Sequence, residues 1–269
     1  MVGRAAMRAM PMALAAAFLP ACAHAGADYT GFSGLLDGSF DYTRMTAGKS
    51  TDADQYTAHA ATLYTFDNPG LALQIDGTGD FYFQAPHSPA HFWSTGLSLF
   101  WRDNKGTFGV SGSYFTVDRS APPLFSGRKS VESFGVFGEY YILDDLTLQA
   151  RGGGTLGSVG GSSYSGSGGL TWYESRDFAF HSEIDYTGYS AGRDWYAIDS
   201  NVEFMPFPVV PLSFYAGYEY ANIARGGDAS SLYAGLKLRF GSGAALRDYQ
   251  RTGAIEWTGR TAPGAGIRY

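Results

Sequence analysis

Charge, cysteine and long apolar runs are all scarce in this chain, and each scarcity excludes something. Charged residues make up 16% of the 269 residues, against about 25% in typical soluble domains. Beyond the N-terminus no apolar run reaches the roughly 18 residues that a membrane-spanning helix needs. Together with a mean hydropathy of -0.14, this argues against a bundle of membrane helices. The single cysteine, Cys22, excludes a disulfide framework and a cysteine-based metal site. The formal net charge of -6 argues against nucleic acid as a partner, because phosphate binding needs basic surface.

What is abundant points one way. Hydrophobic residues reach 45% and aromatics 16%, with 19 Tyr, 19 Phe, 5 Trp and 37 Gly. Few charges, many aromatics and much glycine suit a membrane β-barrel, where aromatic girdles mark the interfaces and glycine eases strand curvature. The length suits one large β domain.

Residues 1–25 read as a signal peptide. Arg4 and Arg8 form the positive n-region, Met10 to Pro20 the apolar stretch, and Ala23-His24-Ala25 a small-x-small cleavage site. A lipobox reading of Leu19-Pro20-Ala21-Cys22 fits less well because of Pro20. Cleavage after Ala25 removes Cys22 and takes the net charge from -6 to -8, since Arg4 and Arg8 leave with it.

The mature part shows period-2 alternation in segments of about ten residues bounded by turn residues. In 71–83, Leu71, Leu73, Ile75, Phe81 and Phe83 oppose Gln74, Asp76, Thr78 and Asp80. In 178–189, Phe178, Phe180, Ile184 and Tyr186 oppose His181, Glu183, Asp185 and Thr187. The pattern predicts about twelve strands, at 33–44, 54–66, 71–83, 92–102, 107–117, 131–142, 146–156, 164–173, 178–189, 195–205, 212–221 and 231–240. A count of ten or fourteen is also compatible with the pattern. Short connectors (67–70, 103–106, 143–145, 174–177 and 206–211) alternate with mostly longer ones (45–53, 84–91, 118–130, 157–163, 190–194 and 222–230). That rhythm predicts an all-β, up-and-down antiparallel transmembrane barrel over 26–240, with periplasmic turns and extracellular loops. A secreted β-sandwich or propeller is the rival. Three features favour the membrane: aromatics near strand ends (Tyr64, Phe66, Trp93, Trp101, Tyr114, Tyr140, Tyr218), uncharged apolar faces, and opposite faces too polar for a dry core.

In these strands and turns, residues 29–240 resemble porin-like outer-membrane β-barrel proteins of Gram-negative bacteria. The terminal segment Ser231-Leu-Tyr-Ala-Gly-Leu-Lys-Leu-Arg-Phe240 looks like the aromatic-ended assembly signal of that class. There the signal usually closes the chain, whereas here residues 241–269 follow it. The resemblance implies an exported protein of the outer membrane, with membrane lipid and the barrel assembly machinery as partners.

If the apolar face meets lipid, the other face lines the lumen. The proposed lining is Asp37, Asp41, Asp76, Asp80, Glu139, Arg151, Glu183, Asp185, Asp199, Glu203, Glu219, Lys237 and Arg239, with Arg102 as a further inward cation. Its excess of carboxylates predicts a negative interior that favours small cationic solutes, most of all at low salt. The alternatives are charges that pair and rigidify a closed structural or adhesive barrel, and a lipid-modifying barrel enzyme.

No catalytic residue, cofactor or metal is expected. His181 and Ser182 are adjacent in a strand and so face opposite sides. His59 and His181 with Asp185 lack metal-binding spacing, as do His87 and His91 around Pro89. Asp52 and Asp54 read as a solvated acidic loop before a calcium site. The glycines at 152–154 and along 157–169 lack the GKS or GKT of a phosphate loop. The tail, 241–269, is read as periplasmic. It carries Arg247, Arg251, Arg260 and Arg268 against Asp248 and Glu256. It is expected to plug the acidic mouth, to contact a periplasmic partner, or to extend without structure.

Overall fold

The computed structural model describes residues 31–47, 49–66, 70–83, 90–117, 130–158, 161–189, 194–207, 210–223, 227–241, 243 and 245–256. The signal segment, His87 and the far tail lie outside the described residues.

Twelve antiparallel strands close into one barrel in sequence order, with β1 paired to β12. They are β1 Gly31–Ala47, β2 Lys49–Thr65, β3 Leu71–Phe83, β4 Ala90–Arg102, β5 Gly106–Val117, β6 Ser130–Leu143, β7 Leu146–Ser158, β8 Gly161–Ser175, β9 Phe178–Tyr189, β10 Trp195–Phe204, β11 Leu212–Ile223 and β12 Gly227–Phe240. A short helix follows, α1 Leu246–Thr252. Closure satisfies every strand edge, which a barrel in hydrocarbon requires.

The alternation read from the sequence sorts the faces. In β3, Ala72, Gln74, Asp76, Thr78 and Tyr82 are buried, while Ile75 is exposed. Exposed apolar residues such as Leu97, Val110, Val136, Ile184 and Leu232 form the outer band. Two aromatic girdles border it. Trp93, Tyr114, Tyr164, Tyr186, Tyr196 and Tyr218 face out toward the loop end, and Trp101, Tyr140, Trp172 and Phe204 toward the short-turn end.

The connectors at the loop end need correction. The stretch 45–53 is not a loop: β1 runs to Ala47 and β2 starts at Lys49, pairing Thr46 with Ser50. Likewise β7 reaches Ser158 with β8 resuming at Gly161, and β11 reaches Ile223 with β12 resuming at Gly227. These strands extend beyond the apolar band, where outward residues such as Arg44, Thr46 and Asp52 are polar and exposed, so no apolar face marks the strand. Asp52 therefore sits within β2, its carboxylate 2.9 Å from Arg44 Nε on β1.

The barrel interior is unevenly filled. At the short-turn end, Leu35, Ala61, Leu63, Ala72, Phe100 and Phe137 pack with Ala254 and Ile255 of the tail. Across the mouth, Tyr173, Ala179 and Met205 pack with Ala245 and Leu246, and Tyr249 lies against them. The chain reverses into the barrel through Gly241 and Gly243, whose φ values of +100° and +116° suit glycine. Leu246 and Ile255 are essentially fully buried, each contributing about 1.5–3 kcal/mol of apolar burial.

Candidate functional site

The lumen holds a cavity on the β6–β12 side, about 150 Å³ in volume. That is space for on the order of ten waters, so its scale is that of small solutes. Asp37, Glu139, Glu183, Asp185, Asp199 and Glu219 line it, with Glu256 from the tail; its basic groups are Arg151, Lys237 and Arg251.

Strand register explains the acidic wall. Glu139 opposes Gln149, Gln149 opposes Gly169, and Gly169 opposes Glu183. Glu183 opposes Asp199, and Asp199 opposes Glu219. One row of directly facing residues thus carries four carboxylates across six strands. Barrel strands are tilted and staggered, so such a row climbs. Glu139 stands near the short-turn end of β6, which finishes at Leu143. Glu219 stands near the loop end of β11, which finishes at Ile223. Directly opposed like charges destabilise a sheet by roughly 0.2–1 kcal/mol per pair. Partners offset part of this. Arg151 Nη2 lies 2.5 Å from Glu183 Oε1 and 3.0 Å from Asp185 Oδ1. Tyr233 donates to both oxygens of Asp199 at 2.8 Å, and Tyr215 donates to Asp37 at 2.7 Å.

Five of the residues proposed as lumen lining lie elsewhere than on this cavity. Asp41, Asp76 and Asp80 belong to β1 and β3. Asp80 accepts bonds from Gln55 and Thr57 at 3.0 and 2.6 Å, and Asp41 from Ser39 at 3.3 Å. Asp76 is buried against Gly96, whose absent side chain leaves room for the carboxylate. Glu203 and Arg239 are 0% and 3% exposed, because the tail covers them.

These two anchor the tail. Glu203 accepts from Lys237 Nζ at 2.9 Å and lies 2.7 Å from Arg239 Nη2. It also accepts from Ser213 Oγ, and from Gln250 Nε2 at 3.1 Å. The tail's Glu256 bonds Lys237 Nζ at 2.6 Å and Arg239 Nε at 2.9 Å. Gln74 of β3 holds the Ile255 peptide, donating to its carbonyl and accepting from its N–H. Arg251 lies over the rings of Tyr141 and Tyr173, at 4.7 and 5.4 Å from their centroids, and donates to Leu143 O at 2.8 Å. Asp248 pairs with Arg176 at 2.5 Å. Of the three expectations for the tail, residues 245–256 therefore follow the plug. The attraction is not the expected one of a basic tail for an acidic lumen. Its main ionic anchor is an acidic residue on a basic pair, which composition could not show.

His181 faces inward, within 2.8 Å of Thr171 Oγ1, while Ser182 pairs with Ser200. His59 lies on β2, opposite Asp37 and Thr78. Among the described residues no group of three or more His, Cys, Asp or Glu is placed to hold a metal ion.

No protein-family model matches the chain, and no curated protein matches it. Solved structures do. An outer membrane channel from Pseudomonas putida F1 aligns with a TM-score of 0.63 at 7% identity, covering 81% of this chain and 100% of its own. The NanC porin aligns with a TM-score of 0.55 at 12% identity, covering 76% of this chain and 98% of its own. The fold is that of porin-like outer-membrane β-barrels.

Proposed function

We propose that this protein is a narrow channel of a Gram-negative outer membrane, reached by export behind a cleaved signal peptide, that favours small cationic solutes. The likeness to an outer membrane channel and a porin supports the setting. Membrane lipid and the barrel assembly machinery are its partners in that setting. The observation that carries the cation preference is the row Glu139, Glu183, Asp199 and Glu219 on the cavity wall. Carboxylates concentrated in a narrow lumen raise the local cation concentration, and screening by salt weakens the effect.

Recording in planar bilayers tests this. The reversal potential across a KCl gradient should show cation preference that fades at high salt, and Asp199→Asn with Glu219→Gln should move it toward zero. Anion preference sinks the reading. The tail segment across the short-turn mouth favours a second reading, a structural barrel closed to solutes. An Ile255→Asp variant, which destabilises the plug, separates the two: a barrel that conducts neither as wild type nor as this variant is structural.

A further inference from the structure

The lumen wall holds Ile255 and Glu256 of the tail in a built cradle. It has three parts. Gln74, 0% exposed, reads a peptide unit from both sides, donating to Ile255 O at 2.9 Å and accepting from Ile255 N at 2.7 Å. Leu35, Leu63, Phe100 and Phe137 form the apolar pocket around the Ile255 side chain. Lys237 and Arg239, 8% and 3% exposed, take the Glu256 carboxylate. One carboxylate thus meets two cations at once; Glu203 contacts the same pair, and Asp37 faces Lys237 across the β1–β12 pairing. Lys237 and Glu256 both line the cavity of the lumen.

We infer that this is a binding site for short peptides carrying an apolar residue followed by an acidic one, and that the tail occupies it as a tethered competitor. The site is anionic in preference although the wall above it is acidic. It rests on the tail contacts and not on the channel reading.

The test uses the full chain in detergent with limited trypsin, following cleavage after Arg247 and Arg251 by mass spectrometry. Cleavage needs the tail to leave the lumen, so a ligand that captures the vacated site speeds it in proportion to its occupancy. Acetyl-Ala-Ile-Glu-amide should accelerate cleavage of the wild type. Acetyl-Ala-Ile-Gln-amide should need about tenfold more peptide, the factor expected for losing a charge-assisted bond. In Glu256→Arg and Ile255→Asp variants, checked as closed barrels by heat-modifiable gel migration, cleavage should be at least about tenfold faster without peptide. Equal potency of the Glu and Gln peptides, no acceleration by either, or variants cut at the wild-type rate overturns the inference. Because the readout is proteolysis, a barrel that proves non-conducting or anion-selective leaves this result standing.

Discussion

Gln74 and Ile255 are 181 positions apart in the chain and exchange two hydrogen bonds, both buried. A single side-chain amide thereby completes the backbone pairing of a segment that belongs to no strand. Replacing Gln74 by Ala strands the N–H and C=O of Ile255 in an apolar pocket. That should cost about 1–3 kcal/mol per unsatisfied group, and it should fall on tail docking more than on barrel closure. Hydrogen exchange is the check: the Ile255 amide should lose protection while the β3 amides keep theirs.

Most of the barrel was legible in the sequence, and the reason is local. Ile75 and Asp76 point to opposite faces because strand side chains alternate, and that period survives in the sequence wherever one face is apolar. It fails at 45–53, where the outward residues Thr46, Ser50 and Asp52 are themselves polar, so no apolar face marks the strand and it reads as loop. The candidate site was legible only as a set of inward carboxylates. Which of them face one another depends on register, and Glu183, Asp199 and Glu219 share a row through pairings that no local pattern specifies. The docked tail was least legible. Glu256 looks like any acid in a basic stretch until Lys237 and Arg239 are brought to it.

Arg151 neutralises two carboxylates, Glu183 and Asp185, from the neighbouring wall. In Arg151→Met the two acids lose their shared cation, and breaking a buried pair of this kind costs about 3–5 kcal/mol. The variant should unfold at lower urea concentration than the wild type. In bilayers the remaining negative charge should push the reversal potential further toward the cation limit. A shift toward anions would contradict the acidic-wall reading.

Gly109 has no side chain because there is no room for one. A Cβ there would lie 2.4 Å from Phe100 Cβ and 2.7 Å from Phe137 Cζ. Those two rings, 5.9 Å apart between centroids, form one wall of the pocket that holds Ile255. Gly109→Ala should therefore overpack the pocket at a cost of about 1–3 kcal/mol. The damage should appear as faster trypsin cleavage at Arg251, and Ile255→Val, which returns a methylene of space, should partly restore the wild-type rate.

The hold of Glu256 should depend on pH in one direction. Burial works against its charged form, and the Arg239 guanidinium and Lys237 ammonium outweigh that effect, so the carboxyl is held below the usual carboxylate range. A group whose docked value is depressed contributes stability above the free value, about 4.3 for Glu, and loses it as pH falls through the docked value. Tail docking should therefore be constant from neutral pH down to about the free value and weaken only below it. Glu256→Gln, which cannot ionise, should dock more weakly at neutral pH and show less change on acidification. Pepsin digestion across the acid range, compared between wild type and this variant, reads the difference. Parallel profiles for the two proteins would assign the acid sensitivity to the wall carboxylates instead.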